Sequence, residues 1–200
     1  MTNEAKAILM IMSRILDYPD QTLYQGYPEI EEYVNKEIGS VNMRNEILER
    51  TAPLFKIPLL GLQELYVDTF DYKDKTGLYL TAHELGDSRK RGAALIKLQK
   101  LIVEGGFEYH GKEIMDYIPM LFELLAHAPE GENFERLYRR LAFAVDRIHK
   151  NLSSSNPYQR IVDILMMFVF EAPEAEEITL LENQREEADL EELPYPMLYQ

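Results

Sequence analysis

Apolar positions recur three and four residues apart along most of this chain, the spacing that gives an α-helix one buried face. Ile8, Ile11, Met12, Ile15 and Leu16 make the first stripe, which Pro19 stops. Asp20 can cap a short turn, Pro28 suits the start of a second helix carrying Ile30, Tyr33 and Val34, and Gly39 ends it. Ser40 can cap a third helix with Ile47, Leu48, Leu54 and Phe55, which Pro53 should kink or split. Pro58 opens a fourth, with Leu59, Leu62, Tyr66 and Phe70 on one side.

The same spacing resumes later. Asp87 stands where it can cap a helix bearing Leu95, Leu98, Leu101 and Ile102, which Gly105-Gly106 ends. Asp116 can cap the next, with Pro119 in its first turn and Leu121, Phe122, Leu124 and Leu125 behind. Phe134, Leu137, Leu141, Val145 and Ile148 stripe a long helix from about 133 to 150. Asn156-Pro157 starts a last helix through Ile161, Leu165, Met166, Phe168 and Val169, apolar on nearly all sides and expected at the centre. No strand pattern, repeat or linker divides the chain. The pattern predicts an all-α, single-domain helical bundle of roughly eight to ten helices over 1–171. An acidic tail, expected to be mobile, follows over 172–200.

Composition sharpens this. The chain has 200 residues, 46% of them apolar, enough for a sizeable core, and no cysteine, so disulfides and thiolate chemistry are excluded. The apolar run from Ala7 to Met12 has no basic n-region before it and no small-residue cleavage site after it, which points to a soluble cytoplasmic protein without membrane insertion. Net charge is −14, and Glu171 to Glu192 holds ten acids and one Arg. That charge repels phosphate backbones, so nucleic acid is not an expected partner; a cationic peptide fits better. The last residues, Leu-Pro-Tyr-Pro-Met-Leu-Tyr-Gln, can dock into a hydrophobic groove of this chain or a neighbour, although disorder is the commoner state of such tails.

One stretch, Tyr66 to Leu95, crowds charged, aromatic and glycine residues without simple periodicity. His83 and Asp87 stand four apart, yet no third metal ligand lies at a recognisable spacing, and His110, His127 and His149 are scattered singly. Ser88 lacks a nucleophile elbow, and no phosphate-binding glycine motif is present, so no enzyme chemistry is supported. Arg89 and Arg91 oppose the helix dipole at the start of a helix. Their expected role is structural, in ion pairs with Asp71, Asp68 or Asp87, ahead of a fork offered to a partner. Tyr66 and Phe70, one turn apart, read more readily as core than as groove wall.

These residues carry a resemblance. Tyr66-x-x-x-Phe70-Asp71, Leu78-Tyr79-Leu80-x-x-His83 and Gly86-Asp87-Ser88-Arg89-x-Arg91-Gly92-x-Ala94 resemble the nitrate reductase assembly chaperone family, NarJ, within the TorD- and DmsD-like maturation chaperones of molybdoenzymes. Ser13-Arg14-Ile15-Leu16-Asp17-Tyr18-Pro19-Asp20 is similar to that family's SRLLEYPD, and Asp116-Tyr117-Ile118-Pro119 with Glu123 and Leu124 to its DxxPxxxEYL helix. The EPxDH signature of the TorD and DmsD branches is missing: the corresponding stretch reads EIMDYIPM. The resemblance implies a cytosolic chaperone that is no enzyme and keeps no cofactor. It would bind the N-terminal peptide of the apo α-subunit of nitrate reductase and hold it open for the molybdenum cofactor and iron–sulfur clusters, beside the cofactor-insertion machinery. The alternative is a chaperone of another molybdoenzyme that reads a twin-arginine signal peptide. In this reading Tyr66, Phe70, Leu78, Tyr79, Tyr117 and Leu121 wall a client groove. Asp71, Asp87, Asp116 and Glu123 form an acidic rim, and His83, Arg89 and Arg91 shape the neighbouring loop.

Overall fold

A computed structural model describes residues 1–86, 88–107, 113–129 and 131–173. Among these the chain forms ten α-helices. They are α1 (Asn3–Ile15), α2 (Gln21–Gln25), α3 (Tyr27–Glu37), α4 (Val41–Thr51), α5 (Leu59–Phe70), α6 (Leu80–Leu85), α7 (Arg91–Glu104), α8 (Ile118–His127), α9 (Glu132–Asn151) and α10 (Pro157–Phe168). The all-α architecture read from the periodicity is the architecture found. The acidic tail from 174 onward lies outside the described residues.

Local chemistry sets most boundaries. Thr2, Asp20, Ser40 and Asn156 each accept a backbone N–H from the first turn of α1, α2, α4 and α10, satisfying donors that have no intrahelical acceptor. Pro53 splits the third apolar stripe, as its missing N–H requires: α4 ends at Thr51, and a 3-10 turn covers Leu54–Lys56.

Helix α1 shares the centre of the bundle with α10, which packs against α1, α4 and α9. Helix α1 packs along α8 and also against α3 and α10. Ala5, Ala7, Ile8, Leu9, Ile11, Met12, Ser13 and Ile15 are buried over most of its surface, with Arg14 left to solvent. Helix α10 reads as apolar, but it turns Arg160 and Met167 to solvent. It also ties its Asp163 to Arg50 at 2.8 Å and His149 at 2.5 Å, joining α4 and α9 to it. A short apolar helix of 13 residues can be central because it meets neighbours on several sides; hydropathy alone does not rank helices by position.

Leu9, fully buried in α1, tests this arrangement. Leu9→Ala is expected to cost about 2–5 kcal/mol by lost transfer energy and a residual cavity. Val41→Ala, at an exposed position, should stay within about 0.5 kcal/mol. Urea unfolding of the two variants measures the difference.

Candidate functional site

Within the crowded stretch from Tyr66 to Leu95, Tyr66, Phe70, Leu78, Leu80, Thr81 and His83 fold inward, while Asp71 to Lys75 stay exposed. The Tyr117 hydroxyl donates to Asp17 Oδ1 at 3.0 Å, and the Tyr66 hydroxyl lies 2.9 Å from the Tyr117 oxygen. Both phenols are also 3.3 Å from the Leu16 carbonyl at the end of α1. Burial, the main cause, pushes both phenols well above the usual tyrosine range, so they stay protonated donors. Rings close over this knot: Tyr18 stands edge-on to Tyr66, and Phe70 and Tyr158 pack around it at 5.0 and 6.1 Å. The Tyr158 hydroxyl is buried without a partner.

Beside the knot, two short segments pair in antiparallel fashion. Leu80 N–H donates to the Asp116 carbonyl at 2.8 Å and Ile118 N–H to the Leu78 carbonyl at 2.9 Å, so Tyr79 faces Tyr117. The Asp116 side chain does not cap its own helix α8, whose cap is Tyr117. It turns instead to α6, taking the Thr81 N–H at 3.2 Å and the Thr81 hydroxyl, and it is fully buried. Arg91 closes the cluster. Its Nε donates to Thr81 Oγ1 at 2.9 Å, its Nη2 lies 3.3 Å from Asp116 Oδ2, and its guanidinium sits over the Tyr79 ring. The structural role expected of Arg91 holds, but with Asp116 as the partner. Asp71 and Asp68 remain exposed at the end of α5. Arg89 is exposed, and Asp87 lies outside the described residues.

His83 is buried and donates from Nε2 to the Gly77 carbonyl at 2.6 Å. Desolvation is the main reason its pKa falls below the ordinary 6.5, with the Arg147 charge adding to it and the Gly77 bond opposing. Arg147 donates to the His83 carbonyl at 2.8 Å, and Arg140 forks onto Glu84 at 2.6 and 2.8 Å, so α9 holds α6 from behind. A side chain at position 77 would put its Cβ 2.7 Å from the Lys73 carbonyl, which explains the glycine. Among the described residues no group of three His, Asp or Glu is placed to hold a metal ion.

Of the residues expected to wall a client groove, Tyr66, Phe70, Leu78, Tyr117 and Leu121 are core, and only Tyr79 is half-exposed. Tyr66, Phe70 and Tyr117 sit where α5 and α8 meet the end of α1 and Tyr158 of α10, so a client reaches them only by displacing those helices. Asp116 is likewise no rim residue. Glu123 is half-buried and takes a 3.3 Å bond from Ser13. Sequence reasoning missed Asp17, Thr81, Glu84, Arg140 and Arg147. Asp17 alone had a local signal, standing inside the Ser13–Asp20 block.

An open groove lies elsewhere, with a volume of about 780 Å³, between the start of α1, the end of α8, the first half of α9 and the end of α10. The part-exposed Tyr138 and Phe168 give it apolar surface over the buried Leu125, Phe134 and Ala142 at its floor, and Lys6, Glu135, Arg139 and Glu171 give it charge.

No family model matches the chain. Known proteins do. It is 28% identical over 168 residues to the probable nitrate reductase molybdenum cofactor assembly chaperone NarJ of Bacillus subtilis, covering 82% of this chain and 89% of that one. The chain is similar to proteins named as nitrate reductase molybdenum cofactor assembly chaperones. The chaperone NarJ of Escherichia coli is 32% identical over 133 residues, 64% of this chain but only 55% of that protein's length. The probable chaperone NarW of the same organism is 24% identical over 185 residues, 91% of this chain and 76% of NarW. These relatives are named as assembly chaperones. Among the described residues no helix is long and apolar enough to cross a membrane.

Two outcomes check the knot and its loop. Tyr117→Phe removes the hydroxyl that bonds Asp17 Oδ1 and the buried Tyr66 hydroxyl and should cost about 1–2 kcal/mol, whereas Tyr158→Phe removes an unpartnered hydroxyl and should be neutral or stabilising in chemical unfolding. His83 is neutral in the fold, so the unfolded chain binds more protons below about pH 6.5. Stability should therefore be full above that pH and fall as pH drops towards the lowered folded value. His83→Gln should flatten that loss in unfolding midpoints taken from pH 8 to 5 relative to the parent.

Proposed function

We propose that this chain is a cytoplasmic assembly chaperone for a respiratory nitrate reductase. It binds the N-terminal segment of the apo catalytic α-subunit, holds that subunit competent for molybdenum cofactor insertion and iron–sulfur loading, and defers its docking at the membrane. The observation that carries this reading is the match to chaperones named for that assembly, over most of this chain and most of the Bacillus relative.

The groove supplies a seat for such a client. A short amphipathic helix laid in it would set its apolar face against Leu125, Phe134, Tyr138 and Phe168, with Lys6, Arg139, Glu135 and Glu171 fixing its register. Tyr66, Phe70, Leu78, Tyr117, Leu121, Asp116, His83 and Arg91 support the seat indirectly, by holding α5, α6, α7 and α8 in place on α1. The exposed Asp71 and Arg89, with Tyr79 and Glu123, remain open to the client's globular body. A chaperone has to let go, and a groove that reads one segment is released more readily than an extensive interface.

Calorimetric titration of the full chain with a synthetic N-terminal peptide of the same organism's nitrate reductase α-subunit tests this. One-to-one saturable binding is expected. Phe168→Ala should weaken it about tenfold or more, while Tyr66→Phe leaves it unchanged. No binding by folded protein would sink the reading. Equal binding of a twin-arginine signal peptide from another molybdoenzyme would transfer it to that client.

A further inference from the structure

We propose that residues 193–200 of this chain, Leu-Pro-Tyr-Pro-Met-Leu-Tyr-Gln, dock in the groove between α1, α8, α9 and the end of α10. The chaperone then competes with its own client for one seat. This rests on the groove being the client seat.

The exit point of the chain is the first support. Phe170 is buried between Phe122 and Tyr138, with ring centroids 5.9 and 5.2 Å away, and Tyr138 donates to the Val169 carbonyl at 2.8 Å. The backbone leaving α10 is thereby pinned to α8 and α9. Glu171 and Pro173, which follow, already line the groove. Residues 174–192 thus start at the rim, and even as a random coil a linker of that length spans about 24 Å end to end, ample for a return. A linker of this kind holds its end at an effective concentration on the order of millimolar, so weak intrinsic affinity suffices.

Chemistry is the second support. Leu193, Tyr195, Met197, Leu198 and Tyr199 match an apolar lining built from Leu125, Phe134, Tyr138 and Phe168. Pro194 and Pro196 restrict the backbone and lower the entropy lost on docking. The linker carries nine acids and one Arg. Glu135 and Glu171 repel it from their part of the rim, and Lys6 and Arg139 attract it to theirs, which gives the docked chain one direction. For the client, occupancy acts as a threshold: a groove filled about nine-tenths of the time by the tail weakens apparent client affinity about tenfold.

The absence of cysteine makes the test clean. Full-length chain carrying Arg136→Cys and Gln200→Cys, nitroxide-labelled at both, is measured by pulsed dipolar spectroscopy. Docking gives one narrow distance distribution that broadens when Leu198→Asp and Tyr195→Asp are added. The same two aspartates, without labels, should tighten client-peptide binding about tenfold. A broad distribution unaffected by the aspartates overturns the proposal. So does a dipolar signal between mixed singly labelled copies, because the tail then occupies a second copy. If the client peptide binds neither form while the narrow distribution persists, the tail docks and the client reading fails instead.

Discussion

The Tyr117 hydroxyl is the point on which the described fold turns. It sits at the start of α8, bonds the Asp17 side chain just beyond α1, and lies within reach of Tyr66 on α5. Burying two phenol hydroxyls together is costly unless each finds a partner, and here the partners come from different parts of the chain. The bonds can form only when α1, α5 and α8 are all docked, so the knot reports on the whole bundle. Hydrophobic contact supplies most of the stabilisation, through stripes that would tolerate some sliding; the hydroxyl geometry fixes one arrangement.

Asp116 extends the same logic to the next layer. A carboxylate with no exposed surface is tolerated because the Thr81 backbone and hydroxyl and the Arg91 guanidinium surround one of its oxygens. In doing so it supplies α6 with the N-terminal acceptor that Tyr79, at the cap position, cannot offer. A six-residue helix is too short to persist alone. It is held from the front by Asp116 and from behind by Arg140 and Arg147 on α9.

The helices were legible in the sequence because capping and apolar periodicity are local. Ser40, Pro53 and Asn156 act on neighbours within a few residues, so reading them needs no tertiary knowledge. What was not legible is what depends on distance along the chain. Asp116 lies one residue before the cap position of α8 and reads as a cap, yet its partners are 25 and 35 residues away. Tyr66 and Phe70 read more readily as core, but an aromatic stripe has the same spacing in a groove wall, and only the packing of α1 and α10 over them decides. The groove escaped notice because its lining comes from four helices whose residues, taken singly, are ordinary amphipathic positions.

The division between these two regions bears on how such a chaperone can diverge. The motif blocks that carry the family resemblance, from Ser13–Asp20 through Tyr66–Phe70 and Leu78–His83 to Asp116–Pro119, meet at the knot and its flanking ion pair. They specify how the helices assemble. Much of the groove is lined instead by residues 134 to 173, where the resemblance in motif is faint. If client reading resides there, substitutions at Phe134, Tyr138, Arg139 and Phe168 can retune which peptide is bound while the knot keeps the scaffold fixed.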